Sequence, residues 1–191
     1  MLSKRLIQRS CAIPAQRQFS TKSKYDNIPQ GIWDLTQRKI YKMPNHPIKI
    51  LVDKVTKFFH QDAISDIVIP GEKFKVFQDF DPLVKTEDCF DKLFIPKDHV
   101  SRAPTDTFYT DEEHCLRPHT SVHQIPLMSG SAGFGANNSF LCVGDVYRKD
   151  TVDRTHYPAF HQMEGVRIYD FEQIGAKSKE EAKIICRRDL Q

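Results

Sequence analysis

Residues 140–169 read FLCVGDVYRKDTVDRTHYPAFHQMEGVRIY, and this is the most informative stretch of the chain. Its two ends alternate between apolar and other residues, as paired strands do, and a charged loop joins them. Arg148 closes the first segment, while Gln162 and Glu164 lie within the second. Side chains two residues apart share one face of a strand, so Gln162 and Glu164 are predicted to point the same way. Because buried polar groups are costly without partners, the hairpin indicates a site for a small charged ligand.

Each of these three side chains suits one end of such a ligand. The planar guanidinium of Arg148 stays charged and donates hydrogen bonds in pairs, which suits phosphate oxygens. Gln162 and Glu164 could hold an ammonium group through one neutral and one charge-assisted hydrogen bond. The alternative is a cross-strand Arg–Glu pair on a solvated face. The polar residues share their face with Phe160 and Val166, which favours a covered site over a solvated one.

The charge of the chain is unevenly distributed. The 191 residues are 39% hydrophobic, which suits a soluble globular protein, and no apolar run approaches the roughly 20 residues of a membrane helix. The net charge is +3, from 28 basic and 25 acidic residues. Six of the basic residues precede Asp26, the first acidic one, and removing them leaves 22 basic against 25 acidic residues. The body is therefore slightly acidic, which removes the argument for a cationic nucleic-acid-binding domain.

Residues 1–24 have the composition of a mitochondrial transit peptide, because they are rich in basic residues, contain Ser and lack acidic residues. The run Arg17-Gln18-Phe19-Ser20 resembles the cleavage site of a matrix peptidase. The expected location is therefore the mitochondrial matrix, and the alternative is a disordered basic tail. The five cysteines form no C-x-x-C pair, which indicates free thiols in a reducing compartment.

The segment before the first helix is predicted to be irregular, because prolines and a glycine interrupt residues 25–46. An amphipathic helix is predicted over residues 47–60. Its apolar stripe is expected to include Leu51, Val55 and Phe58, at positions i, i+4 and i+7.

Three further segments have recognisable patterns. Residues 73–80 alternate as a strand does, residues 89–95 are too short to assign, and residues 177–188 predict a helix. The chain therefore carries both helix and strand signals.

A second concentration of polar residues is LRPHTSVHQ, residues 116–124. Ser121 and Gln124 have the spacing of a helix capping box, which would occupy both side chains locally. The spacing alone favours capping over ligand binding, although Pro126 argues against a long helix. Four side chains nearby are metal-ligand types: His114, Cys115, His119 and His123. Their spacing matches no familiar zinc pattern, so no metal site is predicted.

These segments together resemble the phenylalanyl-tRNA synthetases, which are class II aminoacyl-tRNA synthetases. GDVYRKD followed by THYPAFHQMEG is similar to motif 2 of that class. LRPHTSVHQ resembles the family's H-T-S-x-x-Q segment, and CFDKLFIPKDHVSR resembles the neighbourhood of motif 1. The resemblance extends from about residue 35 to the C-terminus, and the leader favours the mitochondrial type. It implies an α+β fold, with an antiparallel sheet flanked by helices.

The resemblance also implies roles for the residues that match. Arg148 would contact the α-phosphate of ATP, and Asp150 and His156 would lie at the nucleotide. Gln162 and Glu164 would bind the amino group of phenylalanine. The other residues that would line the phenylalanine pocket are His119, Ser121 and Gln124. The implied substrates are ATP with Mg²⁺, phenylalanine and tRNA(Phe), and the implied assembly is a monomer without membrane contact.

Two positions differ from the family pattern. Val100 stands where the family usually has Pro, and Pro118 replaces a small residue or Thr before His119. Pro118 is expected to stiffen a loop that faces the substrate.

The resemblance implies that residues 47–191 form the front part of a class II catalytic domain. The family's Gly-rich motif 3 and anticodon-binding domain do not follow in this sequence, so the domain is expected to be incomplete at its C-terminus. One hypothesis is an enzyme that ligates phenylalanine to mitochondrial tRNA(Phe) through a phenylalanyl-adenylate. The other is a non-catalytic fragment or short isoform that binds phenylalanine or ATP.

Overall fold

A computed structural model describes residues 24–60, 74–131, 138–149, 153–170, 172 and 174–189. The α-helices in this part are α1 (Gln30–Thr36), α2 (Pro47–Phe59), α3 (Gln124–Ser129) and α4 (Lys179–Asp189). The strands are β1 (Lys75–Phe77), β2 (Leu83–Lys85), β3 (His114–Leu116), β4 (Ser139–Tyr147) and β5 (Ala159–Arg167). Short helical turns cover Ile40–Lys42, Glu87–Asp91, Val100–Arg102 and Thr120–His123. Residues 1–23 of the predicted leader, and Asp150, lie outside the described residues.

The predicted hairpin is confirmed as β4 and β5, which pair antiparallel along nine residues each. Their register places Cys142 opposite Glu164 and Gly144 opposite Gln162. The sheet is not wholly antiparallel, because β1 lies on the other side of β4 and runs parallel to it. A parallel pair needs a long connection, and here the chain between Phe77 and Ser139 provides it.

Strand β4 is the centre of the core, and every one of its residues is buried. Val143 packs with Tyr41 and with Val52 of α2. Phe140 and Cys142 form a second cluster with Leu127 of α3. A strand that is covered on both faces needs a nearly continuous apolar sequence, which explains FLCV at its start.

Helix α2 is confirmed, and Val55 of its predicted apolar stripe is half-buried, but the prediction is wrong for Leu51 and Phe58. His46 caps the helix by accepting a hydrogen bond from the backbone N–H of Ile48, and Pro47 occupies the first turn. The buried residue is Val52, whereas Leu51 and Phe58 are more than half exposed. Leu51 and Val52 are adjacent and both apolar, so the spacing of apolar residues alone could not show which of them faces the sheet.

Residues 25–46 were predicted to be irregular, and this prediction is wrong for Gln30–Thr36 and Ile40–Lys42. Pro29 is the N-cap of α1, so it lies just outside the helix and does not interrupt it. Ile32 is buried, and Tyr41 is completely so. The segment is therefore part of the core.

The remaining predictions concern short segments. The predicted strand over residues 73–80 is confirmed only for Lys75–Phe77, and residue 73 lies outside the described part. The unassigned residues 89–95 contain the second half of a π-helical turn, Glu87–Asp91. The predicted C-terminal helix is confirmed as α4, with acidic residues in its first turn and basic ones in its last. Among the described helices, none is long and apolar enough to cross a membrane.

Candidate functional site

Gln162 and Glu164 point to the same face of β5, as predicted, and both contact the turn Thr120–His123. Gln162 Oε1 accepts a hydrogen bond of 3.0 Å from the backbone N–H of Thr120. Glu164 Oε2 accepts hydrogen bonds from Thr120 Oγ1 at 3.0 Å and from Ser121 Oγ at 2.9 Å. The other carboxylate oxygen, Oε1, is buried and has no hydrogen-bond partner in the part of the chain described. The two hydroxyls thus fix the carboxylate and leave one oxygen for a ligand.

The capping box predicted for Ser121 and Gln124 is wrong. The Ser121 hydroxyl donates to Glu164, and the N-cap of α3 is His123, which makes no side-chain capping bond. Gln124 is the first residue of α3 and is half-buried. Because the helix begins at residue 124 and not at residue 122, the predicted cap position falls inside the preceding 3₁₀ turn.

His119 lies directly before this turn and is uncharged at neutral pH. Burial, together with the positive charge of Arg148, lowers the pKa of its imidazole. Its Nε2 lies 3.9 Å from the thiol sulfur of Cys89. Its Nδ1 is buried without a partner among the residues that the structure describes.

Arg148 follows the last residue of β4 and is exposed. Its Nε donates a 3.0 Å hydrogen bond to the carbonyl of Pro118, and its guanidinium carbon lies 5.1 Å from the centre of the Phe160 ring. Pro118, His119 and Thr120 are consecutive, so one short segment contacts the cation at one end and Glu164 at the other. The arrangement therefore offers separate places for an anionic and a cationic group of one ligand.

His156 makes its hydrogen bonds locally, and the described contacts do not bring it to the other predicted residues. The carboxylate of Asp153 accepts from the backbone N–H groups of Thr155 and His156, at 2.7 and 2.8 Å. Its Oδ2 also lies 2.8 Å from His156 Nδ1. Hydrogen bonds from Thr155 and His156 hold the pKa of Asp153 well below its usual range. This turn ends the loop that precedes β5.

A buried polar network lies beside the site, and the sequence reasoning missed it. Arg117 is 1% exposed and donates from Nε to the Asp145 carbonyl at 2.7 Å and from Nη2 to Asp145 Oδ1 at 3.0 Å. Its Nη1 donates to His123 Nε2 at 3.0 Å. Tyr147 donates its hydroxyl to the second oxygen of Asp145. Asp145 and Tyr147, two residues apart in an apolar strand, were the signal that could have revealed this network.

The network keeps its histidine neutral. The ring of His123 stacks on Phe80, with ring centres 4.0 Å apart and an angle of 11° between the planes. Burial and the adjacent Arg117 lower the pKa of His123 to about 3. A neutral imidazole can accept the hydrogen bond from Arg117, which a protonated one could not. Among the described residues, no group of three or more His, Cys, Asp or Glu side chains could hold a metal ion.

Comparisons with known proteins find relatives among the phenylalanine–tRNA ligases. The chain is 37% identical over 155 residues to "Phenylalanine--tRNA ligase, chloroplastic/mitochondrial" of Arabidopsis thaliana, covering 81% of this chain and 33% of that protein. It is 40% identical over 143 residues to "Phenylalanine--tRNA ligase, mitochondrial" of Dictyostelium discoideum, covering 75% of this chain and 30% of that protein. A bacterial relative, "Phenylalanine--tRNA ligase alpha subunit" of Acetivibrio thermocellus, is 32% identical to this chain. The match covers 81% of this chain and 42% of the bacterial protein.

The chain spans about a third of the length of the two organellar relatives. The model of one family, described as tRNA synthetases class II core domain (F), matches residues 33–174. That range includes the turn Thr120–His123, the hairpin and every predicted site residue. Because the match covers most of the chain, the protein belongs to the class II tRNA synthetase core-domain family of the phenylalanine type.

Proposed function

We propose that this chain carries the amino-acid and α-phosphate subsites of a phenylalanine–tRNA ligase. The proposed reaction joins phenylalanine to ATP as a phenylalanyl-adenylate, with release of pyrophosphate, and then transfers the phenylalanyl group to tRNA(Phe). The observation that carries the proposal is the Glu164 carboxylate, which two hydroxyls hold at one oxygen and whose other oxygen has no partner in the described part. The names of the organellar relatives support it.

Glu164 and Gln162 would bind the ammonium group of phenylalanine. An ammonium offers three donors, and Glu164 Oε1 is a charged acceptor without another use among the described contacts. The Gln162 carbonyl oxygen already accepts from Thr120, so its position is fixed in advance. Such pre-organisation lowers the entropy cost of binding. His119, Ser121 and Gln124 would complete the pocket, with Ser121 acting through Glu164.

Arg148 would bind the α-phosphate of ATP. When the phenylalanine carboxylate attacks phosphorus, negative charge builds on the phosphate oxygens, and a fixed guanidinium stabilises that charge. The hydrogen bond to Pro118 and the ring of Phe160 hold Arg148 in place. Positioning and electrostatics account for the role, because this step needs no covalent bond to the protein. Asp150 and His156 are proposed to lie at the nucleotide.

Mg²⁺ would enter with the phosphates of ATP, which are its preferred ligands. The described residues provide no metal site of their own, so no step is assigned to the ion.

The proposal extends to location and domain organisation. The relatives' names and the composition of residues 1–24 support action in mitochondria, in the matrix, with residues 1–24 as the transit peptide. Residues 47–191 would form the front part of the catalytic domain, with residues 25–46 leading into it. We propose that the protein acts as a monomer without membrane contact.

Equilibrium dialysis with labelled phenylalanine tests the amino-acid subsite. We expect phenylalanine to bind saturably to the 191-residue chain. Tyrosine and leucine should compete only weakly for the same site. Replacing the charged acceptor in Glu164→Gln should weaken binding at least about tenfold, since hydrogen bonds to charged groups contribute about 1.5–3 kcal/mol. Glu180→Gln, an exposed change on α4, is the matched control and should bind as the original chain does.

Phenylalanine-dependent exchange of pyrophosphate into ATP then separates the two hypotheses. Exchange by this chain would establish activation, whereas binding without exchange would favour the non-catalytic alternative. A chain that binds no phenylalanine, or binds it equally well after Glu164→Gln, would refute the proposal.

A further inference from the structure

Cys89 contacts His119, one of the candidate site residues. It lies in the π-helical turn Glu87–Asp91 and is completely buried. Its sulfur lies 3.9 Å from Nε2 of His119, thirty residues further along the chain. Within the described residues, Cys89 is the side chain that lies within hydrogen-bond distance of the His119 imidazole.

The chemistry of the two groups decides which of them donates. The neighbouring Cys115 thiol, followed by burial, raises the pKa of Cys89, so its sulfur keeps its proton. His119 is neutral for the reasons given above. A neutral imidazole has one nitrogen with a lone pair, which is a much better acceptor than a thiol sulfur. The single proton of Cys89 is therefore donated to Nε2 and not to the sulfur of Cys115. The imidazole proton then lies on Nδ1, which has no other partner among the described residues.

We infer that Cys89 is a positioning residue, whose S–H···Nε2 hydrogen bond holds the His119 ring in one orientation and in its Nδ1–H tautomer. The contact joins two elements that are distant in sequence. Val122, from the turn that follows His119, packs in the same apolar cluster as Cys89. The thiol contact and this packing together hold the backbone on both sides of residue 120 in place.

The orientation of His119 matters for the proposed substrate, and this step rests on the proposed function. On one side of His119, the Pro118 carbonyl accepts from Arg148. On the other side, Thr120 donates to Glu164. A ring that turned or gained a proton would disturb both subsites, and its charge would compete with the ligand ammonium for Glu164. A fixed, neutral ring avoids this competition.

Nitrogen NMR of the ¹⁵N-labelled 191-residue chain tests the inference, because the two imidazole tautomers have different ¹⁵N shifts. At pH 8 we expect His119 to show a lone pair on Nε2 and a proton on Nδ1. Cys89→Ala should shift the population toward the Nε2–H tautomer that free histidine prefers. Cys89→Ser keeps a donor at the same position and should retain most of the original pattern, and it also serves if the alanine variant does not fold.

Cys115→Ala is the matched control, because it removes an equally buried thiol from the same cluster and keeps the Cys89 sulfur beside His119. It should leave the His119 tautomer unchanged. An identical tautomer in the original chain and in Cys89→Ala would overturn the inference. The same shift in Cys115→Ala as in Cys89→Ala would also overturn it, since the cause would then be general loosening of the cluster.

Phenylalanine binding provides the second readout. Loss of one weak hydrogen bond should reduce affinity about fivefold in Cys89→Ala and less than about twofold in Cys115→Ala. If the original chain binds no phenylalanine, the proposed function fails, yet the tautomer comparison still decides the role of Cys89. The two failures are therefore distinguishable.

Discussion

The hydroxyl of Thr120 lies 3.0 Å from the carboxylate of Glu164, although 44 residues separate them in the chain. The backbone N–H of the same threonine donates to Gln162. One residue therefore holds both side chains that the hairpin presents on its covered face. Because the hydroxyl and the N–H come from a rigid 3₁₀ turn, the carboxylate is oriented before any ligand binds.

Thr120→Val should weaken phenylalanine binding about tenfold, because the carboxylate loses one of its two hydroxyl donors and becomes less well oriented. Thr120→Val combined with Ser121→Ala should cost more than the sum of the single changes, since each hydroxyl partly compensates for loss of the other. Equilibrium dialysis measures both effects.

The control for this prediction is Thr105→Val. Thr105 also donates its hydroxyl to a carboxylate, that of Asp106 at 2.6 Å, but on the exposed surface. It should leave phenylalanine binding unchanged. Equal affinities for the Thr120 variant and the original chain would contradict the prediction.

Gly144→Ala should destabilise the fold by about 3 kcal/mol, through overpacking and disruption of a buried ion pair. A Cβ at this position would lie 2.3 Å from Nη2 and 2.8 Å from Cζ of Arg117. Arg117 cannot move aside easily, because three hydrogen bonds to Asp145 and His123 hold it. Unfolding in urea, followed by circular dichroism, measures the change.

Gly31→Ala is the matched control, since the same methyl group would meet nothing within 4 Å in helix α1. Alanine is the better helix former, so this variant should be more stable by up to about 1 kcal/mol. If both variants shift stability in the same direction and by the same amount, steric conflict with Arg117 is not the cause.

The hairpin could be predicted from the sequence because its signals are local. The two-residue period of a strand places Gln162 and Glu164 on one face whatever they contact, and Arg148 ends a run that is mostly apolar. The same reasoning could not choose between two partners for Ser121. A capping bond to the backbone and a bond to Glu164 use the same hydroxyl, and only the fold decides which one forms.

The Arg117–Asp145 pair illustrates what the sequence could not supply. An arginine in a polar segment looks exposed, and its burial depends on a carboxylate 28 residues away. The error over α2 has a similar origin. Both Leu51 and Val52 are apolar, and the position of the sheet, not the helix period, determines that Val52 is the buried one.

Arg148→Lys should weaken ATP binding about tenfold while leaving phenylalanine binding within about twofold. Lysine keeps the positive charge but loses the planar pair of donors that matches a phosphate, and it cannot keep the Nε–H bond to Pro118 and also stack on Phe160. Displacement of a fluorescent ATP analogue measures the affinity. Arg187→Lys, in the exposed last turn of α4, is the control and should have no effect. A parallel loss of ATP and phenylalanine binding would indicate a general disturbance of the site and contradict the assignment.

Acid should destabilise the protein through His123. Its pKa is about 3 in the folded state because of burial and Arg117, against an ordinary value of about 6.5. Between these values the unfolded chain binds the proton and the folded chain does not, so the free energy of unfolding falls as the pH falls. The contribution is fully present above pH 6.5 and declines by up to about 1.4 kcal/mol per pH unit below it.

His123→Gln removes this titration, so the loss of stability between pH 7 and pH 5 should be about 2 kcal/mol smaller in the variant than in the original chain. Urea unfolding at the two pH values measures both losses, and comparing the losses cancels the change in stability that the substitution itself causes at pH 7. His60→Gln, at the exposed end of α2, should keep the original pH dependence. Equal losses in the His123 variant and the original chain would show that the buried imidazole does not govern the acid sensitivity of the fold.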